Sequence, residues 1–221
     1  MQVTRKIKKY LVSVRPTIYK ILAIILLSAS LYVYGTFNPN IWTQEKIERK
    51  VEDSILEQAF SFGLHEPEFV YNDDKTFVKS LTTCINYINF TLHPTERVPS
   101  SIIIAMAGVE SAWGSSRFAV DANNLFGIRT WDTEAPQLKP LDLPNAEFGV
   151  KIFKTKCESV REMVRLLNEH HAYDGFREER DNQIKDGKWH YRKLLDTLDS
   201  WSTNPKYAGI INDVIIKRKL P

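Results

Sequence analysis

Cysteine is scarce in this chain. Only Cys84 and Cys157 occur in 221 residues, and no group of Cys, His, Asp or Glu has the spacing of a metal site. The adjacent His170 and His171 would point in different directions from a helix end, with no third ligand spaced to join them. They suit the negative end of a helix dipole instead. No metal and no cofactor are therefore expected. The two cysteines keep two readings: a disulfide if the domain is exported, or two small buried core residues. No internal repeat and no low-complexity tract is present, which sets aside a repeat array or a biased disordered segment. Acidic residues are missing from the first twenty positions, and charge of either sign is missing from Ile21 to Gln44.

The charge distribution organises the N-terminus. The net +3 is carried by residues 1–20, which hold six bases. The remainder has 24 bases against 27 acids, so no nucleic-acid face is indicated. The apolar run ILAIILLSASLYVYGTF, extended across Lys20 by Ile18 and Tyr19, approaches the roughly 20 residues of a spanning helix. The bases on its N-terminal side place residues 1–17 in the cytoplasm. Tyr32, Tyr34 and Trp42 suit an outer aromatic belt, and Lys20 can snorkel to the inner interface. A cleavable signal peptide is the alternative, because Ser28-Ala29-Ser30 is loosely A-x-A-like. Apolar character continuing through Tyr34 favours an uncleaved anchor. The expected organisation is a basic tail over 1–17, a transmembrane anchor over 18–37, a linker and helical extension over 38–74, and a globular domain over 75–221. Hydrophobic residues, 43% of the chain, suffice for its core.

Beyond the linker at 38–45, a helical stripe of Val51, Ile55, Ala59 and Phe62 runs to a stop at Gly63. A second helix over 74–92 places Phe77, Leu81, Cys84, Ile85 and Ile88 on one face. Pro94 and Pro99 punctuate the next turn, after which Ser100 or Ser101 can cap a helix. The texture then changes. Residues 125–131 and 147–154 alternate as two short strands, with the Pro-rich segment TEAPQLKPLDLPN between them. Helices resume over 158–169, 191–199 and 207–217, and 173–186 reads as a charged, exposed helix. The pattern is mainly α with a small β lobe.

The most informative stretch is GVESAWGSSRFAVDANNLFGI, residues 108–128. It sets Glu110 at the end of a segment, 102–109, that is apolar on every face. Gly114 is a helix-stop signal because it tolerates φ > 0, so a buried helix ends near Glu110 and opens into a Ser-rich turn. A carboxyl group at such an edge is partly desolvated, which raises its pKa. A carboxyl that stays protonated is the general acid that glycosidic cleavage needs.

The pattern VESAWGSSRFA followed by NNLFGI resembles the glucosaminidase family of peptidoglycan hydrolases, with its E-S-x-W-G and N-N-L-F-G-I motifs. Ser202-Thr203-Asn204-Pro205-Lys206-Tyr207-Ala208 is similar to the family's A-T-D-P-x-Y-A. Leu167-Asn168-Glu169-His170-His171-Ala172-Tyr173 is similar to the L-N-x-H-x-A-Y of its Bax-like branch. The likeness covers roughly residues 75–217, with three motifs in order. It implies a lysozyme-like α+β fold, one N-terminal transmembrane helix preceding it here, with the cleft between helical body and β lobe. It also implies cleavage of the β-1,4 bond between N-acetylglucosamine and N-acetylmuramic acid, with glycan strands as the partner and the domain outside the cytoplasmic membrane.

On this reading Glu110 is the acid, and Tyr207 lies in the cleft, where its hydroxyl can hold substrate or water. Trp113, Asn124, Phe126 and Trp201 are substrate-binding candidates. Asn124 also has a turn role, because Asn amides satisfy turn backbone groups, and Phe126 also reads as core. Trp201 replaces a family Tyr; it keeps a stacking surface and loses the hydroxyl. A second carboxylate is sought on the β lobe, at Glu147 ahead of Glu134, with Asp142 also available. Substrate-assisted attack by the 2-acetamido group would remove that need. Two alternatives stand beside this reading: a muramidase or lytic transglycosylase, and a catalytically idle glycan-binding protein of the envelope.

Overall fold

A computed structural model describes residues 2–37 (side chains over 18–35), 46–47, 50–51, 54, 57–58 and 61, and all of 65–221. The expected linker at 38–45 with Trp42, and most of the stripe ending at Gly63, lie outside the described residues. The chain divides into two compact units, Met1–Phe62 and Gly63–Pro221. In the first, α1 (Gln2–Phe37) is one continuous helix. Its stretch Ile18–Gly35 is long and apolar enough to cross a membrane, and every side chain there is exposed.

The second unit is mostly helical with a small sheet, a lysozyme-like arrangement. Its first helix, α2 (Asp74–Thr91), starts at Asp73, whose side chain accepts from the Thr76 N–H at 2.7 Å, while Thr76 Oγ1 answers the Asp73 N–H at 3.1 Å. This reciprocal box satisfies two donors that a helix start leaves open. The predicted face Phe77, Leu81, Cys84, Ile85 and Ile88 is the buried one. Phe69 and Tyr71, upstream of residue 75, pack on the same core.

Helix α3 (Ser100–Glu110) follows Pro99, which occupies the cap position without a side-chain bond. Ser100 is thus the first helical residue, not the cap. A short helix, α4 (Arg117–Asp121), is capped by Ser116 and follows the Ser-rich turn.

The β lobe differs from expectation. Its three strands are β1 (Arg129–Thr130), β2 (Gln137–Leu138) and β3 (Gly149–Lys151), in the antiparallel order β1-β3-β2. Residues 125–128 form a turn rather than strand, because Asn124 bonds their backbone. The third strand, β2, arises inside the Pro-rich segment, where a two-residue strand leaves no periodicity to read. The strand ends at Lys151: the Ile152 N–H still bonds the Pro136 carbonyl ahead of β2 in the same register, and the Phe153 N–H turns away to that of Ala122, each at 2.9 Å.

Helix α5 (Lys156–Glu169) is capped by Thr155 and tied to α2 by a Cys84–Cys157 disulfide, with Cα atoms 5.6 Å apart. Of the two readings of these cysteines, the structure adopts the pair. A tight 3₁₀ turn, His171–Tyr173, leads into α6 (Asp174–Asp186). This helix is not simply exposed, since Phe176, Arg180 and Gln183 face inward. Helices α7 (Tyr191–Asp196) and α8 (Tyr207–Arg218) close the unit, and α8 packs against α3.

Candidate active site

Helix α3 is buried on all sides from Ser101 to Gly108; Ser100 at its start is partly exposed, and Val109 and Glu110 reach the surface at its end. The helix stops through its own serine. Ser111 donates from both N–H and Oγ to the Ala107 carbonyl, at 3.0 and 2.5 Å, and its Oγ accepts from the Gly114 N–H at 2.8 Å. The expected single glycine stop is replaced by three successive left-handed residues: Ala112, Trp113 and Gly114, with φ of 48°, 55° and 87°. Each of the two non-glycine residues costs about 1–2 kcal/mol, so packing must hold the turn. The Trp113 N–H bonds the Gly108 carbonyl at 2.8 Å. Its ring lies so close to Gly108 that a Cβ there would meet it at 2.7 Å. The Arg218 guanidinium covers the ring at 3.7 Å, and the Tyr71 hydroxyl bonds the Gly114 carbonyl at 2.7 Å. Trp113 therefore braces the end of the helix that carries Glu110.

Glu110 retains an exposed surface, yet the surrounding protein desolvates its carboxyl enough to raise the pKa above the usual glutamate value. The opposing influences are the Tyr207 hydroxyl and the Trp201 indole N–H, which donate toward the carboxyl and favour its anion. Desolvation wins, the condition for a stored proton. Both contacts are looser than formed hydrogen bonds, and the Tyr207 hydroxyl is buried with no partner of ordinary geometry. Catalytic hydrogen bonds are often long before substrate arrives. Burial, and then the charge of Glu110, push the Tyr207 hydroxyl's pKa upward, so it stays a neutral donor.

Aromatic rings continue this wall. Trp201 meets Phe126 edge-on at 6.4 Å and Tyr173 at 6.0 Å, and Phe126 is 3% exposed. Tyr173 was not singled out from sequence, although the L-N-x-H-x-A-Y motif contains it. His170 and His171 stack at 4.4 Å, and His170 lies 5.8 Å from the Tyr173 ring.

The Asn123-Asn124 pair ties helix to β lobe. Asn123, at φ 52°, donates to the carbonyls of Phe153 and Lys154. Asn124 is buried. Its oxygen accepts from the N–H groups of Phe126 and Ile128, and its nitrogen donates to the carbonyls of Ile128 and Lys151 at 2.9 and 2.8 Å. All four amide positions are filled, which leaves no donor free for a glycan.

On the β lobe, Glu147 precedes β3 by two residues instead of beginning the strand, and it is exposed. It borders an open groove with Trp131, Asp142 and Phe148. Lys139 Nζ bonds the carbonyls of Ala146 and Phe148 at 2.9 and 3.1 Å, fixing the backbone on both sides of Glu147. The Phe148 ring is covered by the Arg129 guanidinium at 4.3 Å. Glu134 and Asp142 sit in exposed turns.

Three comparisons bear on this geometry. A glucosaminidase family model, described as mannosyl-glycoprotein endo-beta-N-acetylglucosaminidase, matches residues 91–220. Protein bax of Escherichia coli (strain K12) is 32% identical over 119 residues, 53% of this chain and 42% of that protein. The chain thus spans less than half the length of this relative. The catalytic domain of the autolysin Auto from Listeria monocytogenes superposes with a TM-score of 0.51 at 20% identity, covering 75% of this chain and 95% of that one; it supports the fold.

Proposed function

Because the chain belongs to the glucosaminidase family, we propose that it is a membrane-anchored peptidoglycan hydrolase. It cleaves the β-1,4 bond between N-acetylglucosamine and N-acetylmuramic acid. The carrying observation is Glu110: a carboxyl at the surface end of a buried helix, its pKa raised by desolvation and eased by Tyr207 and Trp201. Glu110 gives its proton to the muramic acid O4 as the C1–O4 bond breaks, and water delivers its hydroxyl to C1 of N-acetylglucosamine.

Tyr207 orients the bound glycan or water through a hydroxyl that has no other partner. Phe126 and Trp201 form the apolar wall of the cleft. Trp113 and Asn124 act one step back: the first braces the helix end, the second the turn that carries Phe126. Glu147 is the second carboxylate, favoured over Glu134 and Asp142 because Lys139 clamps its backbone. A base or nucleophile must be held at a defined separation from the acid, which the exposed turns of the other two do not offer.

The exposed apolar stretch of α1 and the bases before it support an N-in anchor with the catalytic unit outside the cytoplasmic membrane. The disulfide is consistent with an oxidising compartment. The test is mass spectrometry of purified sacculi digested by the full-length protein in detergent. N-acetylglucosamine at the new reducing ends is expected. Reducing or anhydro muramic ends would transfer the reading to a muramidase or lytic transglycosylase, and no release at all would leave a glycan-binding role.

A further inference from the structure

We propose that the groove on the β lobe is a sugar subsite, with the Trp131 ring as the platform for an uncharged N-acetylhexosamine of the glycan chain. Resting on the reading of the chain as a glycan hydrolase, this assigns the residue that holds a sugar ring beside Glu147.

Trp131 is 65% exposed, yet it is built into the sheet and not hung on a loose loop. Strands β1 and β3 pair Thr130 with Gly149. One step on in that register Trp131 stands across from Phe148, and the two rings meet at 6.0 Å, tilted by 48°. Opposed residues of an antiparallel pair support each other in this way. Arg129 precedes Trp131 by two positions, which puts it on the same face of the strand, and its guanidinium lies over the Phe148 ring at 4.3 Å. Beyond Trp131 the backbone is fixed again. The Asp132 N–H bonds Thr130 Oγ1 at 3.2 Å, and Gln137 Nε2 donates to the Asp132 carbonyl at 2.8 Å. The facing wall, residues 142–148, is held by Lys139 Nζ on the carbonyls of Ala146 and Phe148. Arg117 of α4 donates to the Lys139 carbonyl at 3.0 Å and so ties this wall to the helical body. A large apolar ring is thus kept in solvent by ordered supports, so little ordering remains to be done when a ligand arrives.

The lining selects the ligand. The groove holds about 610 Å³, within the roughly 300–1,000 Å³ of small-molecule sites. A β-linked pyranose chair directs axial C–H bonds out of its mean plane. It therefore offers an apolar face to a flat indole and a rim of hydroxyls to its surroundings. Asp142 and Glu147 line the groove, and their carboxylates accept from such hydroxyls. Among the described residues no lysine or arginine lines it. The nearby cations are engaged elsewhere, Arg129 over Phe148 and Lys139 on backbone carbonyls. Two carboxylates without a cation repel an anion, so a free acid sugar or a phosphorylated ligand is disfavoured and an uncharged ring fits.

The probe is chitotetraose, the uncharged β-1,4 tetramer of N-acetylglucosamine. It is titrated into full-length Glu110→Gln protein in detergent, where it is not consumed. The indole signal of Trp131, assigned by its loss in Trp131→Ala, should shift as the sugar saturates. Adding Trp131→Ala should weaken binding by about tenfold, the scale of one stacked ring face, and Trp131→Tyr should keep most of the affinity. Raising the salt from about 0.02 to 0.5 M should change the affinity by less than about twofold, because no ion pair forms. In turnover of soluble glycan strands with Glu110 intact, Trp131→Ala should raise KM with kcat nearly kept, the sign of lost uniform binding. Glu147→Gln, in the same groove, should give the opposite split.

Absence of chitotetraose binding, a Trp131 signal that stays put while the sugar binds, or an unchanged affinity in Trp131→Ala overturns the proposal. Strongly salt-dependent binding also overturns it. A shifted Trp131 signal, with no product released from sacculi by wild type, would instead overturn the hydrolase reading and leave the subsite standing. If Trp131→Ala unfolds, the Trp131 signal of the otherwise intact protein still decides the matter, with the other indole signals assigned by their own substitutions.

Discussion

Removing the Cys84–Cys157 bridge tests how the catalytic unit is held together. The perturbation is the double variant Cys84→Ala/Cys157→Ala. The bridge spans 73 positions, and closing a loop of that length removes about 4 kcal/mol of chain entropy from the unfolded state. Both cysteines are almost fully excluded from solvent, at 0% and 1% exposure, so losing two sulfurs from the α2–α5 contact adds on the order of 1 kcal/mol. At 2–4 °C per kcal/mol for a unit of this size, the melting temperature should fall by about 10–20 °C. The assay is thermal unfolding of full-length protein in detergent, followed by near-ultraviolet circular dichroism, which reports packed aromatics rather than α1. Wild type unfolded and refolded in reductant should match the variant. A native sample given reductant without unfolding should not lose its bridge, since neither sulfur is accessible. A drop smaller than about 3 °C, under about 1 kcal/mol, would refute the reasoning.

Three further outcomes follow from the site. Asn124→Ala strands two N–H groups and two carbonyls in a buried turn, at about 1–3 kcal/mol for each group that finds no water; chemical denaturation should show a loss of several kcal/mol. Glu147→Gln should lower kcat with KM nearly kept, because it removes an interaction made mainly in the transition state; if Glu134→Gln is the more damaging change, the role belongs to the loop that carries residue 134. The pH dependence has a definite sign. Glu110 must be protonated to act and its pKa is raised, so kcat/KM should decline on the alkaline side through a midpoint above the ordinary glutamate value, and Glu110→Gln should lack that limb in any residual rate.

Much of this site could be read from sequence because its signals are local. A helix with no polar face, ending in a carboxylate, has few places to go except through the core, and α3 does so. The periodic faces of α2 and α5 follow the same logic of burial, while α8 buries Tyr207, Ile211 and Ile215 and leaves Ile210 exposed. The misses also have physical causes. Strand β2 is two residues long and held by its partner β3, so nothing local marks it. The helix stop was assigned to Gly114, but the Oγ of Ser111 stops it first, and the strained Trp113 backbone depends on Gly108 and Arg218, the latter over a hundred positions away. Asn124 carried both a turn and a sugar-contact reading because an amide in a motif can serve either purpose, and its four filled hydrogen bonds account for the turn role. Trp201 was read as a loss of hydrogen bonding relative to tyrosine. Its ring packs against Phe126 and Tyr173, partners from distant segments that spacing along the chain does not encode. The disulfide likewise joins residues whose separation alone left both readings open.

The central claim, that Glu110 is the proton donor, is tested most directly by Glu110→Gln assayed on purified sacculi beside wild type. Glutamine keeps the shape and removes the acid, and general acid catalysis contributes about 10²–10⁴-fold, so release of glycan products should fall by at least the lower figure. The fold should be intact. The raised pKa means that ionised Glu110 weakens the folded state relative to the protonated form, a cost that begins as pH rises past the ordinary glutamate value and is complete above the native pKa. At pH 7 the variant should therefore melt no lower than wild type. A well-folded Glu110→Gln protein that digests sacculi at close to the wild-type rate would contradict the account.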